Sequence, residues 1–276
     1  MDKRVTIKDI AKAAGVSVAT VSYVLNNRQD QKISTATKAR VLQAVSDMGY
    51  TGTRAAKSTA QRTGCIAICS GAEDGTLLQA DHGSLISALV RQIEQRGYLS
   101  IILTPDRCDR ITKADALICI DASDELIRRT VQHNSIPVLE LNGWSDHPMT
   151  CRINTDYAQV MRRAQEEFGF DFCVVTCDPP SAALREHISA QCGSDVFFCR
   201  TSDDLIDFLA YNKGRPLAVC SATAYWICKA YGARAVCTAP ETELLAENTA
   251  ATARLCATGH QPDLRDIRLF LPESKK

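Results

Sequence analysis

The sequence predicts an α/β protein, in which a small all-α helix-turn-helix head precedes a two-lobed body of doubly wound parallel sheets. Three observations favour this fold class. Short helical segments separated by tight turns fill residues 1–50, a polar and basic linker follows at 51–63, and short apolar runs then alternate with helical stretches over 64–276. Two clusters of these strand and helix units predict lobes of roughly 64–150 and 151–276.

The first two helices of the head are marked by their caps and by the glycine between them. Thr6 begins a capping box for a helix that ends at Gly15. Ser17 caps a second helix, Val18 to Leu25, after a turn so short that the two helices must cross at a steep angle. A third helix, roughly Thr35 to Met48, supplies apolar side chains that cover the other two.

The strands of the body are predicted from apolar runs of four or five residues that recur between helical stretches. Only twelve residues separate the second run from the third, so the helix that normally crosses over between parallel strands is predicted to be shortened or lost there. These runs are Ile66–Cys69, Leu99–Leu103, Ala116–Ile120, Val138–Leu141, Phe172–Val175 and Leu217–Cys220.

The formal net charge of zero hides an asymmetry between head and body. Residues 1–62 hold eleven Lys or Arg and four Asp, whereas residues 63–276 hold 21 basic and 28 acidic side chains. A basic head on an acidic body is the pattern of a segment that meets a polyanion such as DNA. Neither a membrane-length apolar run nor a secretory leader is evident, so we expect a cytoplasmic location and no membrane partner.

The chain carries no motif that predicts catalysis or a cofactor. The thirteen cysteines are scattered and never form C-x-x-C, so we interpret them as reduced apolar fillers rather than as metal ligands or disulfides. Motifs for a nucleophile elbow, a phosphate loop, a zinc protease or a dinucleotide site do not occur. We therefore expect no enzyme activity, no cofactor and no metal.

Three segments of the head, Val5–Ala11, Ala14–Asn26 and Ala44–Tyr50, closely resemble the lactose-repressor (LacI-type) family, with about a dozen positions agreeing in order and spacing. The resemblance implies a homodimeric transcriptional regulator, typically a repressor, that binds a near-palindromic operator in double-stranded DNA. It also implies a periplasmic-binding-protein-like body that is switched by a small molecule.

The residues that would contact DNA follow from the geometry of a helix-turn-helix and from the resemblance. The start of the second helix reaches base edges in the major groove, which makes Val18, Ala19, Ser22 and Tyr23 the predicted base-reading residues. Most members of the family carry Arg at the position of Tyr23. The predicted phosphate contacts are Thr6, Ser17, Thr20, Asn26, Thr37 and Lys38, whose alternative role is helix capping.

The linker departs from the family. By resemblance it would fold as a hinge helix and insert a leucine from the minor groove, but Thr59 stands at the leucine position and is a poor apolar wedge. A smaller bend in the operator is therefore expected. The predicted hinge and minor-groove residues are Tyr50, Thr53, Ala56, Lys57 and Thr59.

The candidate effector residues lie where the resemblance places a cleft between the lobes. They are Ser70, Asp74, Asn142, Trp144 and Arg185. Arg185 fits the cleft arginine of the family, although an exposed helix position is the alternative for Arg185 and simple packing is the alternative for Trp144. The acidic positions that often bind sugar hydroxyls in the family are absent, which weakens any assignment to a sugar.

Two other interpretations remain open at this stage. In the first, the body has no effector, and the chain is a ligand-independent or protein-partner-controlled DNA-binding regulator. A cytosolic sugar-utilising enzyme with an accessory DNA-binding head is the more remote alternative.

Overall fold

The computed structural model describes residues 5–25, 33–48, 62–73, 75–134, 136–145, 147, 150–193, 195–259 and 266–269. The head contains three helices, α1 (Ile7–Ala14), α2 (Val18–Leu25) and α3 (Thr35–Asp47). Thr6 and the third residue of α1, Asp9, form the predicted capping box, and Gly15 ends the helix with a left-handed φ of 63°. Ile10, Val21 and Val41 are fully buried where the three helices meet.

Lobe 1 comprises the described residues within 62–155 and 242–269, and it is built on a six-stranded parallel sheet. Its strands are β1 (Cys65–Ser70), β2 (Leu99–Leu103), β3 (Ala116–Ile120), β4 (Val138–Leu141), β5 (Thr150–Thr155) and β10 (Asp266–Leu269). Their spatial order is β10-β5-β4-β3-β1-β2. Its helices are α4 (Leu77–Gln95), α5 (Asp124–His133) and α10 (Thr242–Ala257).

Lobe 2 comprises residues 156–241 and has a four-stranded parallel sheet. Its strands are β6 (Cys173–Cys177), β7 (Val196–Cys199), β8 (Leu217–Val219) and β9 (Ala235–Cys237), in the order β7-β6-β8-β9. Its helices are α6 (Tyr157–Phe168), α7 (Ala182–Cys192), α8 (Ser202–Tyr211) and α9 (Ala222–Ala230).

The doubly wound parallel architecture predicted from the apolar runs is confirmed, and each run lies on a strand. Between β2 and β3 the described chain makes only a 3₁₀ turn, Pro105–Arg107, in place of a crossover helix, as the short spacing predicts. The division into lobes differs from the sequence-based boundary at residue 150. Strand β5 pairs with β4, and both α10 and β10 return to lobe 1, because the chain crosses between the lobes more than once.

Each lobe-1 sheet face is covered by its own helices. Helices α4 and α10 cover one face through Leu89, Ile93 and Ala250, which pack on Ile66 and Ile118 with no solvent exposure. The other face packs against α5 and the turn before β3. Within the described residues, no helix is long and apolar enough to cross a membrane.

Candidate nucleic-acid interface and interlobe site

The first turn of helix α2 is exposed to solvent, whereas the inner face of the helix packs against the core of the head. Ser17 caps the helix, since its Oγ accepts from the backbone N–H of Thr20 at 3.0 Å. Val18 is 41% exposed, and Ala19 is also exposed. Val21, two residues further along the helix, is fully buried. Exposed apolar side chains at a helix start, held by a buried anchor, have the form of a reading edge for the major groove.

The remaining predicted DNA contacts in the head fall into two groups. Ser22, Tyr23, Thr37 and Lys38 are half-buried, so parts of their side chains reach the surface. Two of the predicted hydroxyl donors, Thr6 and Ser17, also cap helices, whereas Thr20 and Thr37 lie in the first turn of a helix and pair with the cap hydroxyl. The Thr6 hydroxyl donates to Asp9 at 2.6 Å, and the hydroxyls of the Ser17–Thr20 and Ser34–Thr37 pairs each lie 2.9 Å apart. Asn26 and the hinge residues Tyr50, Thr53, Ala56, Lys57 and Thr59 lie outside the described residues.

Two candidate effector residues, Ser70 and Asn142, meet in a buried polar network at the carboxyl ends of the lobe-1 strands. The Ser70 Oγ lies 2.8 Å from His82 Nδ1, and His82 Nε2 lies 2.7 Å from Asp121 Oδ2. Asn142 Nδ2 donates to the same carboxylate oxygen at 3.1 Å. His82 and Asp121 are at most 4% exposed, and neither was singled out from the sequence.

The backbone at this network is unusual. Asp121 and Asn142 directly follow β3 and β4, and both have a positive φ, 46° and 55°. Non-glycine residues in this region cost free energy and cluster at functional sites. Gly71 after β1 has no room for a side chain, because a Cβ there would lie 2.3 Å from the carbonyl oxygen of Asp121. His82 and Asp121 are far apart in the sequence, so no local sequence pattern predicts their contact.

Trp144 and Arg185 contact side chains outside this network. The Trp144 ring, from lobe 1, stacks on His187 of lobe 2 with centroids 3.6 Å apart, and the Arg152 guanidinium lies 4.5 Å from its centroid. Arg185 pairs with Asp178 and covers the Phe198 ring at 4.0 Å. Asp74 is outside the described residues.

A cavity of about 90 Å³ lies between the loop after β1 and the carboxyl ends of lobe-2 strands. Pockets that bind drug-sized ligands usually enclose about 300–1,000 Å³. Its lining includes Glu73, Thr76 and Leu78 from lobe 1 and Asp178, Pro179 and Arg200 from lobe 2.

The cysteines are free thiols, and most of them are buried. Burial raises the pKa of the Cys192 and Cys220 thiols to about 12 and that of Cys228 to about 11, so these thiols stay protonated at neutral pH. Among the described residues no group of three or more His, Cys, Asp or Glu side chains has the arrangement of a metal site. The buried cysteines are thus packing residues, whereas Cys237 is exposed.

Comparison with known proteins agrees with the geometry of the head. Residues 6–52 match the family model described as bacterial regulatory proteins, lacI family. The HTH-type transcriptional regulator DegA of Bacillus subtilis is 36% identical over 104 residues, which cover 37% of this chain and 29% of DegA. The HTH-type transcriptional repressor PurR of Photobacterium profundum is 26% identical over 168 residues, 56% of this chain and 48% of PurR.

The matched segments span about half or less of the length of these curated relatives. Solved structures extend the likeness of fold to the body. The transcriptional regulator CelR in complex with cellobiose gives a TM-score of 0.54 at 16% identity, covering 96% of this chain and 97% of the other. The lac repressor dimer bound to operator and an anti-inducer gives 0.52 at 16% identity, covering 97% and 96%.

Head and body together define a two-lobed, periplasmic-binding-protein-like protein with an N-terminal helix-turn-helix domain. Its head, residues 6–52, matches the lacI-family model, and the fold of the chain is like that of the lac repressor.

Proposed function

We propose that this chain is a sequence-specific DNA-binding transcriptional regulator, and that it acts as a homodimeric repressor on a near-palindromic operator. The observation that carries the proposal is the exposed first turn of α2 on a head that matches the lacI-family model. The surplus of basic side chains in residues 1–62 supports it, because phosphate neutralisation supplies much of the affinity for DNA.

In this proposal α2 enters the major groove by its amino-terminal turn. Val18 and Ala19 offer apolar contact to thymine methyl groups, and Tyr23 one turn later offers a phenolic hydroxyl to a base edge. Ser22 completes the reading edge. Hydroxyls at Thr6, Ser17, Thr20 and Thr37 and the ammonium group of Lys38 orient the head by contacting phosphates, which fixes register without reading sequence.

Dimerisation would place two heads on the two halves of an operator. Leu99 and Ile102 support it, because they are 66% and 63% exposed on β2, an edge strand of the lobe-1 sheet. Burying this edge against a second copy would remove apolar side chains and unpaired backbone groups from water. We place this regulator in the cytoplasm, where it meets DNA, and assign it no enzyme activity.

Control by a small molecule remains part of the proposal, with a cleft effector bound near Ser70 and Asn142. A second candidate is a ligand-independent regulator, and a specific observation favours it. The cavity of about 90 Å³ between Glu73 and Arg200 is too small for a sugar or nucleoside unless the lobes move apart, and neither Ser70 nor Asn142 lines it. A thermal-shift screen of sugars, nucleosides and phosphorylated metabolites distinguishes the two, since a ligand at about 100 times its Kd stabilises by ~2.7 kcal/mol.

In vitro selection from random double-stranded DNA tests the function itself. The full chain should enrich one sequence with two related half-sites. The matched control is Ala19→Glu, because a carboxylate in the first turn suits the helix dipole but repels DNA phosphates. Failure of the full chain to enrich any sequence, or equal enrichment by the Ala19→Glu variant, would contradict the proposal.

A further inference from the structure

The first turn of α4 belongs to lobe 1 by connectivity but packs inside lobe 2. Leu77 is only 5% exposed and is part of the buried lobe-2 core with Cys199 and Leu205. The backbone N–H of Leu77 also donates to the Arg200 carbonyl of lobe 2 at 3.0 Å. Separating the lobes would therefore expose apolar side chains and break a backbone hydrogen bond.

One turn further along α4, Asp81 holds the start of a lobe-2 helix. Its Oδ1 accepts from the Thr223 hydroxyl at 2.5 Å and from the Thr223 backbone N–H at 3.0 Å. Thr223 lies in the first turn of α9, where backbone N–H groups lack partners within the helix and favour a negative charge.

A second carboxylate of lobe 1 makes the same kind of contact with another lobe-2 helix. Asp124, the first residue of α5, accepts from the Ser181 hydroxyl at 2.6 Å and from the Ala182 backbone N–H at 3.0 Å. Ser181 is 1% exposed and caps α7 of lobe 2. The exposed ion pair between Glu73 and Arg200 also spans the lobes, but exposed pairs contribute little.

We propose that the two lobes are locked together by the protein's own side chains, with Asp81 and Asp124 as the two clasps and Leu77 as the apolar contact that joins α4 to the lobe-2 core. Each carboxylate supplies to a lobe-2 helix start the charge and hydrogen bonds with which a bound ligand would bridge the lobes. The body is thus closed without an effector, and an effector would have to act on a body that is already closed.

The two carboxylate contacts predict how far their removal shifts the equilibrium between closed and open bodies. Hydrogen bonds to charged groups contribute enough to change an equilibrium about 10- to 100-fold each. Removing both carboxylates should therefore shift the ratio of closed to open bodies by at least roughly 100-fold, if the two act independently. The effect on DNA binding rests on the proposed function, whereas the closure of the lobes does not.

Trp144 provides the readout, because its ring stacks across the lobes on His187. The chain has two tryptophans, and Trp226 is 69% exposed, so Trp226→Phe leaves Trp144 as the single emitter. In this full-length background the test variant carries Asp81→Ala and Asp124→Ala. The control carries Glu94→Ala and Glu125→Ala, which remove the same charge from the same two helices. Both residues are exposed, as Asp124 is, and Glu125 pairs with Arg128 of its own helix.

The measurements are acrylamide quenching of Trp144 and the radius of gyration in solution. The clasp variant should be quenched at least about twice as strongly as the parent and should have a larger radius, while the control should match the parent. If circular dichroism shows that the clasp variant is unfolded, Thr223→Val provides the milder test, since it removes only the hydroxyl contact, and its quenching should lie above that of the parent.

A folded clasp variant, or a folded Thr223→Val variant, with the quenching and radius of the parent would overturn the proposal. Because neither measurement involves DNA, a failure of DNA binding would count against the proposed function and not against the lock. Operator affinity of the clasp variant, measured afterwards, would show whether opening alters the reading of DNA.

Discussion

In the proposed reading of DNA, Tyr23 is the residue of the head that is most specific to this chain. It is half-buried on α2, one turn after the exposed pair Val18 and Ala19. We expect Tyr23→Ala to cost ~1–3 kcal/mol on the selected operator and to relax the base preference at one position per half-site. Lys38→Ala should weaken operator and random DNA alike, because a phosphate contact carries no sequence information.

Fluorescence anisotropy on the operator, on its single-base variants and on random DNA would measure both effects. Equal losses on specific and random DNA for both variants would refute the base-reading role of Tyr23.

Glu140 is buried under the loop after β4, and this burial raises the pKa of its carboxyl despite a hydrogen bond from the Ser145 backbone N–H. The native state therefore holds this proton more tightly than the unfolded chain. The resulting stabilisation is fully present below the pKa of this carboxyl in the unfolded chain, about 4.3. It is lost as pH rises through the raised pKa of the native state.

Glu140→Gln should remove this loss, because an amide does not ionise. The free energy of unfolding of the variant minus that of the parent should rise between pH 4 and pH 7, by about 1.4 kcal/mol for each unit of raised pKa. Urea unfolding across this range measures it, with Glu94→Gln at an exposed position as the control. Parallel curves for parent and Glu140→Gln would show that this carboxyl does not titrate as described.

At the residue scale, the sequence predicts the caps and not the buried polar network. Thr6 and Ser17 act within three residues of their partners, so spacing alone reveals them. His82 and Asp121 are 39 residues apart and meet only because α4 packs across the ends of neighbouring strands. No local pattern encodes that meeting.

Among the elements, the turn between β1 and α4 requires glycine. A Cβ at Gly71 would lie 2.3 Å from the Asp121 carbonyl oxygen and 2.7 Å from the Ala122 Cα, both of them backbone atoms. Gly71→Ala should therefore destabilise the body by about 1–3 kcal/mol or more. Gly83→Ala is the matched control, because that site in α4 is open, and it should stabilise by up to about 1 kcal/mol. Thermal unfolding that shifts equally for both variants would argue against this close approach.

The linker is tested by restoring an apolar wedge. If hinge helices enter the minor groove, Thr59→Leu should increase operator bending, because a buried leucine contributes ~1.5–3 kcal/mol against an unstacking cost of a few kcal/mol. Circular-permutation gel shifts of the parent and the variant on one operator measure the bend. Unchanged bending would mean that the linker stays out of the groove.

Apolar periodicity predicts where the strands lie in the sequence but not which lobe each strand joins. The run Val138–Leu141 predicts a strand, but nothing local states that Thr150–Thr155 continues the same sheet beside it. The return of Asp266–Leu269 to lobe 1 is set by packing of α10 on α4, which is a contact between distant parts of the chain.

At the scale of the whole molecule, the basic head and the acidic body divide the work of the proposed regulator. Residues 1–62 carry the positive surplus that attracts a polyanion, and the acidic body is repelled by it. Two heads held by one dimeric body would bind an operator far more tightly than one head, since the second binding event becomes intramolecular.

The salt dependence of operator binding tests this account most directly. If a dimer makes ~6–10 phosphate contacts, affinity of the full chain should fall ~10³–10⁵-fold between about 50 and 200 mM salt. The full-length Ala19→Glu variant should bind the operator no better than random DNA at either concentration. An operator affinity that does not change with salt, or an Ala19→Glu variant that binds as tightly as the parent, would contradict the claim that the head reads DNA.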